Sequence, residues 1–325
     1  MADLWLQFIL TIDATLRVAT PLILCAMAGI FSERAGIIDI SLEGKMLMAA
    51  FAAASVAAVT GSPWAGLGVA ILTSLALSLL HGFACITHKG NQVISGLAIN
   101  ILASGLTVTL GIAIFARGGQ TPLLGKGERF GSLHLPFADW IGAHVPFIGP
   151  IYKEIISGHN ILVWLAFAAV AITYYVVFKT SFGLRLRAVG EKPEAIDSAG
   201  ISVSSMRFQA VLLAGLLTGI AGAYLSTAHG AGFIREMTAG KGYIALAAMI
   251  FGKWRPGPAL LACLMFGFLD ALAARLQGVS LPYIGEVSTD LILALPYIMT
   301  VVLLAGFIGT ATPPKAIGVP YVKER

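Results

Sequence analysis

Apolar runs of bilayer-crossing length recur along the chain at 14–31, 65–86, 93–116, 161–178, 208–228, 258–275 and 289–309. A helix needs about 20 largely apolar residues to cross the hydrocarbon, so each run predicts one spanning helix. Two further runs, 44–60 and 241–252, are short or rich in small residues, and each follows a charged, glycine-containing stretch. The pattern predicts an all-α membrane protein, a polytopic helical bundle of about 9–10 transmembrane segments.

The two short runs also carry a repeat. EGKMLMAAFAA (43–53) resembles AGKGYIALAAM (239–249), and the preceding helices share a small-residue pattern in LCAMAGIFS (24–32) and LLTGIAGAYLS (216–226). A Pro-containing turn, SPWAGL or RPGPAL, follows each copy. Five crossings separate the equivalent helices, so the copies run in opposite directions. That is a weak inverted repeat, an architecture of transporters, in which short glycine-interrupted segments mark the substrate path. It divides a single transmembrane domain (1–325) into a first half-repeat (14–178), a connecting loop (179–207), a second half-repeat (208–309) and a tail (310–325).

Charge sets the orientation. The connecting loop, KTSFGLRLRAVGEKPEAIDSAGISVSSMR, holds five basic residues, KWRPG adds two, and the tail ends in YVKER. Counting crossings puts all three on one side, which the positive-inside bias makes cytoplasmic. Loop 117–160 then lies outside, a solvated cap with His134, His144, His159 and an interfacial Trp140, suited to contact with an extracytoplasmic partner. Its histidines are too irregularly spaced for a metal site. The same count places the N-terminus outside. Either residues 4–13 form an interfacial half-helix, or one short segment does not cross fully. The N-terminus shows neither the basic region nor the cleavage site of a signal peptide.

Composition agrees: 58% hydrophobic residues, 11% charged and a mean hydropathy of +0.88 exclude a soluble globular protein. The net charge of +5 therefore reflects topology rather than nucleic-acid binding. Cys25, Cys85 and Cys263 all lie in apolar runs and read as small buried hydrophobes.

Within the connecting loop, Gly190 permits a turn, Pro193 suits a first helical position, Glu194 complements the helix dipole and Gly200 can close the helix. A short helix is predicted at 193–199, either an element that docks into a partner's groove or part of an ordinary basic loop. Candidate substrate-path residues flank the interrupted segments: Asp39, Ser41 and Glu43 before the first, Glu236, Lys241 and Tyr243 before the second, and Asn91, Gln92, Ser95 and Asn100 at the start of the run from 93. Ionisable groups at membrane depth face a cavity or a partner, and this set suits a polar, hydrogen-bonding solute. The alternative is that Asp39, Glu43 and Lys45 lie at the water boundary or pair with Arg34, and that Asn100 bonds a neighbouring helix. Asp270 and Arg275 read as an interfacial pair, and Gly215 with Gly219 as a close-packing face, within the subunit rather than across a dimer. The chain has no G-x-x-x-x-G-K-[ST] phosphate loop, since GQTPLLGKG has the wrong spacing, and no HExxH.

GLRLRAVGEKPEAIDSAGI (183–201) resembles the cytoplasmic coupling loop of ABC importer permeases. ERAGIIDISLEGKMLMAAFAA (33–53) and GKGYIALAAMIFGKWRPGPALLACLMFG (240–267) resemble the permease family serving branched-chain amino acids, ribose and other simple sugars, and nucleosides. The likeness runs over about 14–309 and is strongest to the nucleoside and simple-sugar branch, in which Leu-Glu-Gly follows Asp-Ile-Ser. It implies a permease subunit in the bacterial plasma (inner) membrane that hydrolyses nothing and binds no cofactor. ATP and magnesium would sit on separate nucleotide-binding ATPase subunits. An extracytoplasmic solute-binding protein, a second permease subunit (another copy or a related chain) and the lipid bilayer would be its partners, with no nucleic acid. Coupling to the ATPase would fall to Arg187, Gly190, Glu191, Pro193, Glu194, Ala195, Asp197 and Gly200. One departure stands out: Ala195-Ile196-Asp197 replaces the consecutive alanines of the general coupling motif. A branched-chain amino acid permease and an ion-coupled secondary transporter are the alternatives.

Overall fold

The first helix reaches further toward the N-terminus than its hydropathy requires. In the computed structural model, which describes residues 2–138, 140, 144–145, 148–276, 280–281, 285–286, 294, 298 and 311–323, α1 runs unbroken from Ala2 to Arg34. Residues 4–13 belong to it and form no separate interfacial half-helix. Their polar groups are accommodated along the helix itself: the Thr11 hydroxyl donates to the Gln7 carbonyl, and Arg17 pairs with Asp13 at 2.9 Å one turn away.

The remaining long runs form α2 (Leu42–Thr60), α3 (Pro63–Gly82), α4 (Gln92–Phe115), α5 (Ile161–Lys179), α8 (Val203–Tyr224) and α10 (Pro256–Leu276). Between α5 and α8 lie α6 (Ser181–Glu191) and α7 (Pro193–Ser198), and α9 (Lys241–Phe251) precedes α10. Among the described residues seven helices are long and apolar enough to cross a membrane. The predicted run at 289–309 lies outside the described residues. The turn between α2 and α3 follows its sequence: Gly61 closes α2 at φ +70°, Ser62 caps α3 and Pro63 opens it.

The helices of the two predicted halves, α1–α3 and α8–α10, are interlaced. α1 packs on α9 and α10 of the other half, as α8 packs on α2 and α3, and α1 and α8 lie against each other at the centre. Close approach explains the G-x-x-x-G pair. A methyl group on Gly219 would stand 2.7 Å from Ile71 Cα, and one on Gly215 would collide with Ser78, so this face packs on α3 within the subunit.

The positively charged segments meet at one end of the bundle. Arg34 donates to the Trp254 carbonyl and Trp254 to Glu33, the Ala316 N–H bonds the Gly190 carbonyl, and the Gly318 N–H bonds the Gly36 carbonyl. The short helix expected at 193–199 is α7, with Pro193 first and Gly200 just beyond it at φ +79°. Gly190, in contrast, does not make a turn. It lies inside α6, and glycine is needed there because a side chain would strike the Arg34 carbonyl. Arg275 donates to the Gln7 carbonyl at 2.7 Å rather than pairing with Asp270. All three cysteines are free and buried.

Candidate functional site

Two stretches of the bundle abandon the helix at membrane depth. The chain leaves α1 at Arg34, runs without helix through 36–41 and re-enters a helix at Leu42. After α8 it passes through 230–240 before α9 starts at Lys241. With 11 residues, α9 is about 16 Å long, half the hydrocarbon thickness, so its N-terminus lies near the bilayer centre.

Backbone that is not helical at this depth must find partners for its polar groups. In 36–41 they come from side chains. The Ile38 N–H donates to Gln92 Oε1 (2.7 Å), the Ile38 carbonyl lies 3.1 Å from His81 Nε2, and the Ile40 carbonyl accepts from Asn100 Nδ2 (3.1 Å). Ser95 completes the set, its hydroxyl 3.1 Å from His81 Nδ1. Asp39 pairs with Lys45 at 2.6 Å and accepts from Ser41, with both ion-pair partners wholly enclosed. Asp39 and Lys45 therefore lie at no water boundary, and Arg34 is engaged elsewhere.

The starts of α2 and α9 are each capped by the rest of the protein. Ser41 makes no side-chain cap for α2, and the Gly44 N–H instead donates to Asn100 Oδ1 at 2.8 Å. At α9 the N–H groups of Gly240 and Gly242 donate to the two carboxylate oxygens of Glu43, at 2.8 and 2.6 Å. The negative carboxylate thus meets the positive end of the half-helix dipole. A methyl group at Gly242 would be 2.6 Å from the Glu43 nitrogen, so the two helix starts touch backbone to backbone.

Beside this junction a strip of polar groups faces outward. Asn100 Nδ2 also donates to the Tyr243 hydroxyl (2.7 Å), and Ser104 donates to Glu236 (2.5 Å). Tyr243 is 43% exposed, Glu236 is exposed, and Lys241 is half-buried. Glu236 and Ala239 hold φ of +54° and +46°, a left-handed conformation that costs non-glycine residues about 1–3 kcal/mol and recurs at functional sites. Polar groups near the bilayer centre that point out of the bundle need water or a partner.

The structure thus divides the sequence candidates. Asn100, Glu236 and Tyr243 come together, with Lys241 close by at the start of α9. Asp39, Ser41, Gln92 and Ser95 support the unwound segment, Glu43 caps α9, and Asn91 caps α4 by accepting from Val93 and Ile94. Ser104 was missed, although it lies one turn beyond Asn100 on the same face of α4. His81 was missed as well, as a single histidine at the end of an apolar run. At the basic end, Glu191, Glu194, Ala195 and Gly200 are exposed and Gly190 and Pro193 are buried. Arg187 stacks over Phe178, and Asp197 pairs with Lys323 at 3.4 Å.

Residues 11–304 match the protein family described as branched-chain amino acid transport system / permease component. The chain is 38% identical over 320 residues to the guanosine ABC transporter permease protein NupQ of Bacillus subtilis, with 97% of each chain covered. To the nucleoside ABC transporter permease protein NupC of Lactococcus lactis it is 37% identical over 313 residues, covering 94% of this chain and 95% of the relative. To the guanosine ABC transporter permease protein NupP of Bacillus subtilis it is 28% identical over 262 residues, covering 79% and 72%.

Proposed function

Because the chain belongs to the branched-chain amino acid transport system permease component family, we propose that it is the permease subunit of an ABC importer carrying a nucleoside, or else a simple sugar, into the cell. The observation that carries this reading is the outward-facing strip of Asn100, Ser104, Glu236 and Tyr243 beside the starts of α2 and α9. Hydroxyl, amide and carboxylate groups there match the hydroxyls of a ribose, and the Tyr243 ring offers a face to a base. NupQ and NupC, by name a guanosine and a nucleoside permease protein, favour the nucleoside.

The permease hydrolyses nothing, and ATP is turned over on partner ATPase subunits. These engage the exposed residues of α7 and its flanks, Glu191, Glu194, Ala195 and Gly200, while Gly190 and Pro193 seat that element on the bundle. An extracytoplasmic binding protein delivers the solute in the plasma (inner) membrane. The polar strip requires a second permease subunit to close the path. Two permease proteins, NupQ and NupP, share the guanosine transporter name in Bacillus subtilis, which favours a related chain over a second copy. ATPase closure then rocks the interlaced halves between outward and inward access.

Co-expression with candidate ATPase and binding-protein chains tests the reading. Labelled nucleoside uptake should collapse with ATP depletion, persist when ion gradients are dissipated, and resist competition by branched-chain amino acids. Gradient-dependent uptake would make the chain a secondary transporter.

A further inference from the structure

A cavity of about 460 Å³ opens at the end of the bundle opposite the basic segments, apart from the polar strip, between α1, the end of α8 and the loop that follows α4. Its wall includes Arg17, Lys126, Arg129, His159, Tyr224 and His229, and no carboxylate. Asp13, just behind the wall, is paired with Arg17, and the Glu128 carboxylate is turned back onto the Gly125 N–H. Three permanent cations therefore converge on a space that no acidic side chain occupies.

Buried groups in this wall are only partly satisfied. His159 is 3% exposed, and its ring has only a loose contact with the Ile155 backbone and Asp13 at 3.6 Å from Nε2. Arg129 Nε is buried without an acceptor. Burial holds the His159 imidazole below its ordinary value, against the pull of Asp13. Buried donors left without acceptors cost about 1–3 kcal/mol each, so such a cluster favours an added acceptor, whether water or an anion. The cavity is framed rather than loose. The Phe130 N–H bonds the Thr227 carbonyl, Ser132 bridges to Asn160, Tyr224 donates to the Arg17 carbonyl, and its ring stacks on His229.

From this geometry we infer that the cavity binds a phosphate group. Cations arriving from separate elements suit an anion with several acceptor oxygens and more than one charge better than a single carboxylate. The depth fits as well. Arg17 lies 17 residues before Arg34 on a continuous helix, about 25 Å up its axis, where lipid headgroups begin. The phosphate comes from a phospholipid headgroup or from free phosphate.

Delipidated, purified full-length protein in neutral detergent distinguishes the sources. Native mass spectrometry and thermal shift would be read with inorganic phosphate, short-chain phosphatidylglycerol and phosphate-free diacylglycerol. Wild type should bind the phosphatidylglycerol and not the diacylglycerol. Displacement of that lipid by inorganic phosphate identifies headgroup binding at the site, and saturable binding of inorganic phosphate alone identifies free phosphate. Lys126→Gln, whose side chain is exposed, and Arg129→Gln should each weaken phosphate binding about tenfold. Binding unchanged in both variants, or no phosphate-dependent shift in wild type, overturns the proposal. Capture of the solute-binding protein that these variants weaken while phosphate binding stays intact overturns it too.

Discussion

Glu43 of one half-repeat closes the first turn of the half-helix in the other, receiving the Gly242 N–H at 2.6 Å and the Gly240 N–H at 2.8 Å. The carboxylate joins the two halves where both helices begin. Glu43→Ala leaves the buried Gly242 N–H and the half-buried Gly240 N–H without acceptors, at about 1–3 kcal/mol for the buried one, and should lower the melting temperature in detergent markedly. Glu43→Gln keeps an acceptor but loses the charge facing the helix dipole, and should fall between Ala and wild type. Equal stability of all three would remove the cap.

Gly242 and Gly190 are held by contact rather than by conformation. Gly242→Ala drives a methyl group into the Glu43 backbone and Gly190→Ala drives one into the Arg34 carbonyl, whereas Gly105 and Gly257 face open space. Folded yield should drop in the first two variants and hold in Gly105→Ala and Gly257→Ala. The expected cost is of the overpacking kind, about 1–3 kcal/mol.

The Asp39–Lys45 pair is wholly enclosed. Removing either partner strands a buried charge, at about 3–5 kcal/mol, while replacing both with apolar residues is far milder. Asp39→Leu and Lys45→Met should each destabilise more than the double variant, as read by thermal unfolding. A double variant at the sum of the singles would show that the two do not act as a pair.

The exposed face of α7 is expected to carry coupling. Glu194→Lys should lower substrate-stimulated ATPase activity of the assembled transporter about tenfold or more and leave membrane insertion unchanged. Full coupling in that variant would move the ATPase contact elsewhere.

The helices and their order were legible because apolar length is a local signal. α7 was legible for the same reason, since Pro193 and Gly200 punctuate it. The partners of the unwound segments were not. Ile38 and Gln92 are 54 positions apart, and Glu43 and Gly242 are 199 apart, so these caps exist only after the halves interlace. Polar residues near a short helix look alike whether they stay exposed, as Glu236 and Tyr243 do, or support a non-helical segment, as Asp39 and Gln92 do. Gly190 misled for a related reason, because a glycine needed for close packing reads locally as a turn. His159 in turn read as part of a solvated cap, although the fold buries it.

Thiol labelling of Tyr243→Cys in the assembled, membrane-embedded transporter is the most direct measurement, and the native cysteines are buried and give little background. A membrane-impermeant reagent should label Tyr243→Cys, and loaded binding protein should slow that labelling several-fold while leaving Leu102→Cys, on an exposed apolar position of α4, unchanged. Labelling of Tyr243→Cys at the same rate with and without substrate would contradict a substrate path along this strip.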